Sequence, residues 1–173
     1  MTRKCNASLT VHQAAPGPVN RPARGAAELL RLRAPLGIAG LYLHVPFCFH
    51  KCHYCDFYSI VDDERHAAFV RRLVGELATL GELTRSPLRT VFIGGGTPTL
   101  LSADLLGRVL TAVSDAFDLT RCEEWTVEAN PETIDAEKAA VMRQAGVNRL
   151  SIGAQSFDPR HLKTLERWHD PAN

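Results

Sequence analysis

No run of apolar residues in this 173-residue chain is long enough to cross a membrane as a helix, so no membrane span is expected. Charge of one sign is missing as well: 20 Lys and Arg stand against 19 Asp and Glu, a formal net charge of +1. Residues 40–173 mix both signs without long blocks, which leaves nucleic-acid binding without support. Nothing resembles a signal peptide, and cysteine is scarce and odd in number, five in all. Both features argue against a disulfide framework and for a reducing, cytoplasmic setting. What remains, 45% hydrophobic and 23% charged residues, is ordinary globular material.

Residues 1–39 stand apart. Arg3, Lys4, Arg21, Arg24, Arg31 and Arg33 face one acid, Glu28, and Pro16, Gly17, Pro18, Pro22 and Gly25 interrupt regular structure before Ala26–Arg33. The expectation is a flexible Arg- and Pro-rich tail with room for one short helical turn. Organelle-targeting peptides share this composition, but few serines and no amphipathic pattern speak against that reading.

From residue 40 onward, short apolar runs at Leu41–Val45, Thr90–Ile93, Trp125–Glu128 and Arg149–Ile152 alternate with helical periodicity. The first helix is expected over Glu64–Leu80, with Phe69, Leu73, Leu77 and Leu80 on one face and Arg71, Arg72 and Glu76 on the other. A second follows Ser102 as N-cap and carries Leu105, Leu106, Val109, Leu110 and Val113. A third runs Asp135–Ala145 and stops at Gly146, and a fourth opens at Asp158–Pro159 and includes Leu162 and Leu165. Strands joined through helices run parallel, so the fold class is α/β, a partial (β/α) barrel of about four βα units. Four units are fewer than the eight of a closed barrel, so residues 40–173 are expected to be the N-terminal part of an incomplete core domain. Functional residues in such folds gather where strands meet the following loops.

The first of those loops lies in LYLHVPFCFHKCHYCDFYS, Leu41–Ser59, where Cys48, Cys52 and Cys55 stand in Cys-x3-Cys-x2-Cys order. Three soft thiolates in one short loop suit three irons of a [4Fe–4S] cluster and leave the fourth iron to an exogenous ligand. Zinc is the alternative, because His44, His50 and His53 surround the trio. A structural zinc site, however, pairs two close ligands with two more along the chain, and Cys5 and Cys122 are far away. Cys122, just before a strand, reads as a small packed residue. The loop resembles the signature of the radical S-adenosylmethionine (SAM) enzymes.

Three more strand ends carry candidate motifs. The second strand ends in GGGTPT, Gly94–Thr99, where missing side chains let backbone approach a ligand and Pro98 fixes the exit; a steric role in the turn is the other reading. Glu128 in TVEANPET either faces the cavity mouth or caps the next backbone turn. Gln155 in GAQSF offers both donor and acceptor, and Arg167 follows on the next helix. The radical SAM resemblance implies that Tyr42 lies close to bound SAM and that Tyr54 lies against its adenine. It also implies that Gly95, Gly96 and Thr97 hold the methionine amino group, and that Glu128, Gln155 and Arg167 line the SAM site. Without the resemblance, Tyr42 is a strand residue with its hydroxyl capped.

From Gly40 onward the chain is most similar to the radical SAM group that contains oxygen-independent coproporphyrinogen III oxidase and the heme chaperone HemW. The oxidase motif continues Cys-x-Cys after the third ligand, whereas Phe57 stands here in CDFYS, a departure that favours the HemW side. The resemblance implies a [4Fe–4S] cluster and SAM as cofactors, with heme as a further candidate, and a barrel of the radical SAM type. It also implies an electron donor such as flavodoxin or ferredoxin and reductive cleavage of SAM to methionine and a 5′-deoxyadenosyl radical. In the oxidase that radical takes a hydrogen from a propionate of coproporphyrinogen III; in HemW-like members the implied role is binding and handing over heme. No catalytic residue beyond these ligands is assigned.

Overall fold

The computed structural model describes residues 39–170 apart from Arg85, so the expected tail up to residue 38, its short helical turn and Cys5 lie outside the described residues. Four strands, β1 (Gly40–Val45), β2 (Thr90–Gly95), β3 (Glu124–Ala129) and β4 (Arg149–Ile152), pair in the order β1-β2-β3-β4, every pair parallel. The connections are helical: α1 (His66–Leu83) follows β1, α2 (Ala103–Ala116) follows β2 and α3 (Ala136–Ala145) follows β3. A 3-10 turn at Pro98–Leu100 precedes α2, and α4 (Pro159–Thr164) comes after β4. This is the α/β architecture of a partial (β/α) barrel that the alternation predicts.

Period two explains the sheet. Leu43, Val45, Val91, Ile93, Trp125 and Val127 point to one face and form the core together with Val70 and Leu77 of α1 and Leu106, Val109, Leu110 and Val113 of α2. The opposite face is polar. Tyr42, Phe92, Thr126 and Arg149 share one register level, and His44, Gly94, Glu128 and Ser151 share the level nearer the C-terminal strand ends. The Arg149 guanidinium donates to Thr126 Oγ1 at 3.2 Å and lies 3.6 Å from Glu124 Oε1, so the hydrogen-bonding groups of this face satisfy one another across strands.

Helix ends fall where the capping chemistry puts them. Ser102 Oγ accepts from Leu105 N–H, Asp135 Oδ1 from Lys138 N–H and Asp158 Oδ1 from Arg160 N–H, each an N-cap worth about 1 kcal/mol. Gly146 ends α3 at φ +99°, the left-handed conformation that costs glycine least. The first helix differs from the expectation at both ends. Asp62 Oδ1 accepts from the backbone N–H groups of both Glu64 and Arg65, forming a turn that delays the start to His66. At the far end α1 continues through Gly81 to Leu83; a Cβ at Gly81 would stand 2.3 Å from the Ala116 carbonyl oxygen, so its absence lets α1 and α2 close up. The buried centre of α1 is Val70 and Leu77, with Phe69, Leu73 and Leu80 only partly buried beside them. Strand β2 also runs two residues beyond the expected Ile93, into Gly94 and Gly95.

Candidate functional site

The loop after β1 and the turn after β2 are stitched together by backbone. Gly96 N–H donates to Val45 O at 2.8 Å, Thr97 N–H to Phe47 O at 2.7 Å, and Cys48 N–H to Ile60 O at 2.9 Å. Glycine is required by this closeness: a Cβ on Gly96 would lie 2.6 Å from the Phe47 carbonyl oxygen, and Gly95, at φ +108°, would push into the His44 ring at 2.5 Å. The glycine run therefore serves the steric role and also presents its backbone to open space beyond it. That space is a cavity of about 400 Å³ at the C-terminal edge of the sheet, lined by residues that include Cys48, Cys52, Cys55, Tyr54, Gly95, Gly96, Thr97, Glu128, Gln155 and Arg167.

Of the three histidines only His50 lines this cavity, while of the residues the sequence offers for a cluster and SAM all but one do. The exception is Tyr42, which lies one register level away from the cavity and stacks on Phe92 with ring centroids 5.9 Å apart. His44 Nε2 is 2.9 Å from the Tyr58 carbonyl oxygen, which only accepts, so the imidazole proton sits on Nε2. Nδ1 is left to accept from the Tyr42 hydroxyl at 3.1 Å, which is thereby capped. Burial, and then the negative charge of Glu128, push the Tyr42 hydroxyl above its ordinary pKa.

Glu128 faces the cavity, and the backbone it caps is the glycine turn after β2 and not the Asn-Pro turn that follows it. Its Oε2 accepts from Gly95 N–H at 3.0 Å, and its carboxylate still faces the cavity. Gly94 makes room for it, since a Cβ there would stand 2.4 Å from Oε2. Gln155 adopts φ +64°, an uncommon conformation for a residue with a side chain, at the point where the chain leaves β4. The three thiols are unpaired and half-buried. Thr97 is 3% exposed; its hydroxyl donates to Cys48 Sγ at 3.8 Å and accepts from Asn130 Nδ2 at 3.1 Å. The Tyr54 hydroxyl is raised above its usual range, first by burial and then by its hydrogen bond to Cys52, while the Arg167 charge works the other way.

Arg167 reaches the cavity from beyond α4. Its Nη2 donates to Gly153 O at 2.8 Å and to Glu132 Oε2 at 3.2 Å, and its Nε is buried without a partner. Burial opposes charge on Glu132, but its own backbone N–H, the Arg167 guanidinium, the Trp168 N–H and His169 outweigh it and hold the carboxyl below its ordinary value. A depressed carboxyl stabilises the fold above its unfolded pKa, and that contribution disappears as pH falls through the folded pKa. Glu132→Gln should therefore unfold at a lower temperature than the parent chain at neutral pH, with the gap closing on acidification below the ordinary carboxyl range. Thermal unfolding at both pH values checks this.

Sequence reasoning missed Asn130, Glu132, Ser151 and Trp168. Asn130 reads only as half of an Asn-Pro turn, and the Glu132–Arg167 pair joins residues 35 apart in sequence with no periodic signal. Ser151 was recoverable, because the strand register sets it beside Glu128. Cys122 is packed against the core as expected, its thiol raised by burial.

The residues present fit the groups that the cysteine motif calls for. Three soft thiolates edge one cavity, the donor type that iron–sulfur clusters take. A zwitterionic ligand would find a glycine cradle too tight for any Cβ, the Glu128 carboxylate and the Arg167 side chain in the lining.

Comparison with known proteins agrees. The family model described as the radical SAM superfamily matches residues 42–173. The heme chaperone HemW of Lactococcus lactis is 43% identical over 129 residues, 74% of this chain and 33% of that protein. HemW of Escherichia coli is 40% identical over 134 residues, 76% of this chain and 35% of its own. The solved structure of the coproporphyrinogen III oxidase HemN from E. coli, described as a radical SAM enzyme, superposes with a TM-score of 0.73 at 27% identity. The match covers 85% of this chain and 34% of HemN. The chain thus spans about a third of the length of the relatives it matches.

Proposed function

As this chain belongs to the radical SAM superfamily, we propose that its cavity holds a [4Fe–4S] cluster and SAM, and that it serves a HemW-like heme chaperone. The observation that carries the reading is the convergence of the cysteine trio, the glycine turn, Glu128, Gln155 and Arg167 on one cavity from four separate strand ends. Cys48, Cys52 and Cys55 would ligate three irons. Gly95, Gly96 and Thr97 would receive the SAM amino group beside Glu128, and the Arg167 guanidinium would meet its carboxylate. Tyr54 would lie against the adenine, and Gln155 would bond to the nucleoside. Tyr42 would act on the ligand indirectly, through the polar sheet face it shares with Glu128.

When bound, the pair supplies reductive cleavage of a carbon–sulfur bond, fed by a donor such as flavodoxin or ferredoxin in the cytoplasm. This chain's own residues bind, orient and desolvate: the glycine turn presses backbone onto the ligand, and half-burial of the thiols limits water. Phe57, at the position where the oxidase carries a further cysteine, favours heme transfer over propionate decarboxylation. The coproporphyrinogen III oxidase reading stays second, supported by the HemN likeness. Heme titration of the reconstituted protein, followed by Soret absorbance, separates them. Stoichiometric heme uptake without turnover of coproporphyrinogen III is expected; turnover without heme uptake would reverse the assignment.

A further inference from the structure

Trp168 lies outside every motif, yet it grips the cysteine loop. Its indole stacks on the His50 imidazole with ring centroids 5.2 Å apart and planes 7° apart, while Phe49 meets the same indole edge-on at 4.8 Å and 85°. The Trp168 backbone is anchored independently of that loop. Trp168 N–H donates to Glu132 Oε1 at 3.3 Å, and its neighbour Arg167 pairs with the other oxygen of that carboxylate. Held there, His50 brings Nε2 to 3.3 Å from Cys52 Sγ. A ligating thiolate only accepts, so with Cys52 bound to iron the shared proton belongs to Nε2 and His50 is the donor.

We propose that His50, clamped by Trp168, is a positioning residue whose N–H···S hydrogen bond to Cys52 raises the reduction potential of the cluster; this rests on the cluster reading above. A hydrogen bond to a ligating sulfur stabilises the reduced state more than the oxidised one, because reduction places extra negative charge on the cluster and its thiolates. Cys52 is the cysteine met by a ring nitrogen, His50 Nε2 at 3.3 Å, whereas Cys48 has the Thr97 hydroxyl at the longer distance of 3.8 Å. Trp168 fixes the angle at which the imidazole is offered, which couples the end of the fourth βα unit to the loop of the first.

The test is an EPR-monitored redox titration of the anaerobically reconstituted chain. His50→Phe keeps a ring against Trp168 and removes the donor: iron loading should stay at about four per chain while the midpoint moves to more negative potential. His50→Gln, whose amide N–H reaches a similar point, should recover most of that shift, a rescue that a purely structural role would not give. Trp168→Leu should move the midpoint in the same direction as His50→Phe, by less. A His50→Phe midpoint equal to the parent's at full iron loading overturns the proposal. If His50→Phe does not load, the Trp168→Leu midpoint decides in its place, and a parental value overturns it equally. Failure of the parent chain itself to take up iron and sulfide removes the cluster reading and this inference together, which is a different result from an unshifted variant.

Discussion

Replacing Cys48, Cys52 or Cys55 by alanine, one at a time, is expected to abolish [4Fe–4S] reconstitution, with broad brown absorbance and iron content both falling to background. The reason is stoichiometric. A cluster held at three corners has no spare protein ligand, and the described residues supply no fourth cysteine at the cavity, so losing one thiolate leaves two. Each thiol is half-buried and none is part of the hydrophobic core, so the variants should remain folded. Cys122→Ser is the control. That thiol packs beside β3 and donates to Glu124 O at 3.5 Å, remote from the cavity, and its replacement should leave iron content unchanged. Iron and sulfide assays alongside circular dichroism make the comparison; retention of iron in any of the three alanine variants would refute the ligand assignment.

Arg167→Ala should produce the second large effect, on stability and ligand binding together. The guanidinium side chain is 6% exposed and pairs with Glu132, which is 27% exposed. Removing one member of a buried ion pair costs about 3–5 kcal/mol, and the residual exposure of Glu132 puts this pair near the lower end, at about 3 kcal/mol. The Gly153 carbonyl also loses its donor, so the β4 exit should loosen. Chemical denaturation measures that part. The other part is SAM affinity, read by equilibrium binding to the reconstituted protein: with the guanidinium gone from the cavity lining, binding should weaken at least tenfold. Arg167→Lys separates the two effects, because lysine keeps a charge near Glu132 but lacks the planar guanidinium fork; recovery of stability without recovery of affinity is the expected pattern. An Arg167→Ala protein with parental SAM affinity would dismiss the ligand role and leave only the structural one.

Much of this fold is written locally in the chain. Alternation along Leu41–Val45 and Trp125–Glu128, the helical spacing of Leu106, Val109, Leu110 and Val113, and caps at Ser102, Asp135 and Asp158 each settle one element from its own residues. Strand ends then locate the site, because a parallel sheet sends all its following loops to one edge. Contacts between distant segments are different in kind. The Thr97 hydroxyl bridging Cys48 and Asn130, the Glu132–Arg167 pair and the stack of Trp168 on His50 depend on how four loops meet, and no period in the sequence encodes them. The later start of α1 follows from the Asp62 turn, a side-chain to backbone competition that hydrophobic spacing does not register. The surroundings of Tyr42 are likewise set by tertiary contacts. Its hydroxyl is already engaged by His44 and its ring by Phe92, outside the cavity lining.

The most direct test is low-temperature EPR of the anaerobically reconstituted, dithionite-reduced protein with and without SAM. A vacant coordination site on the cluster predicts about four irons per chain and a reduced-cluster signal whose g-values change when SAM is added. A colourless protein carrying stoichiometric zinc, or a cluster signal indifferent to SAM, would contradict the account.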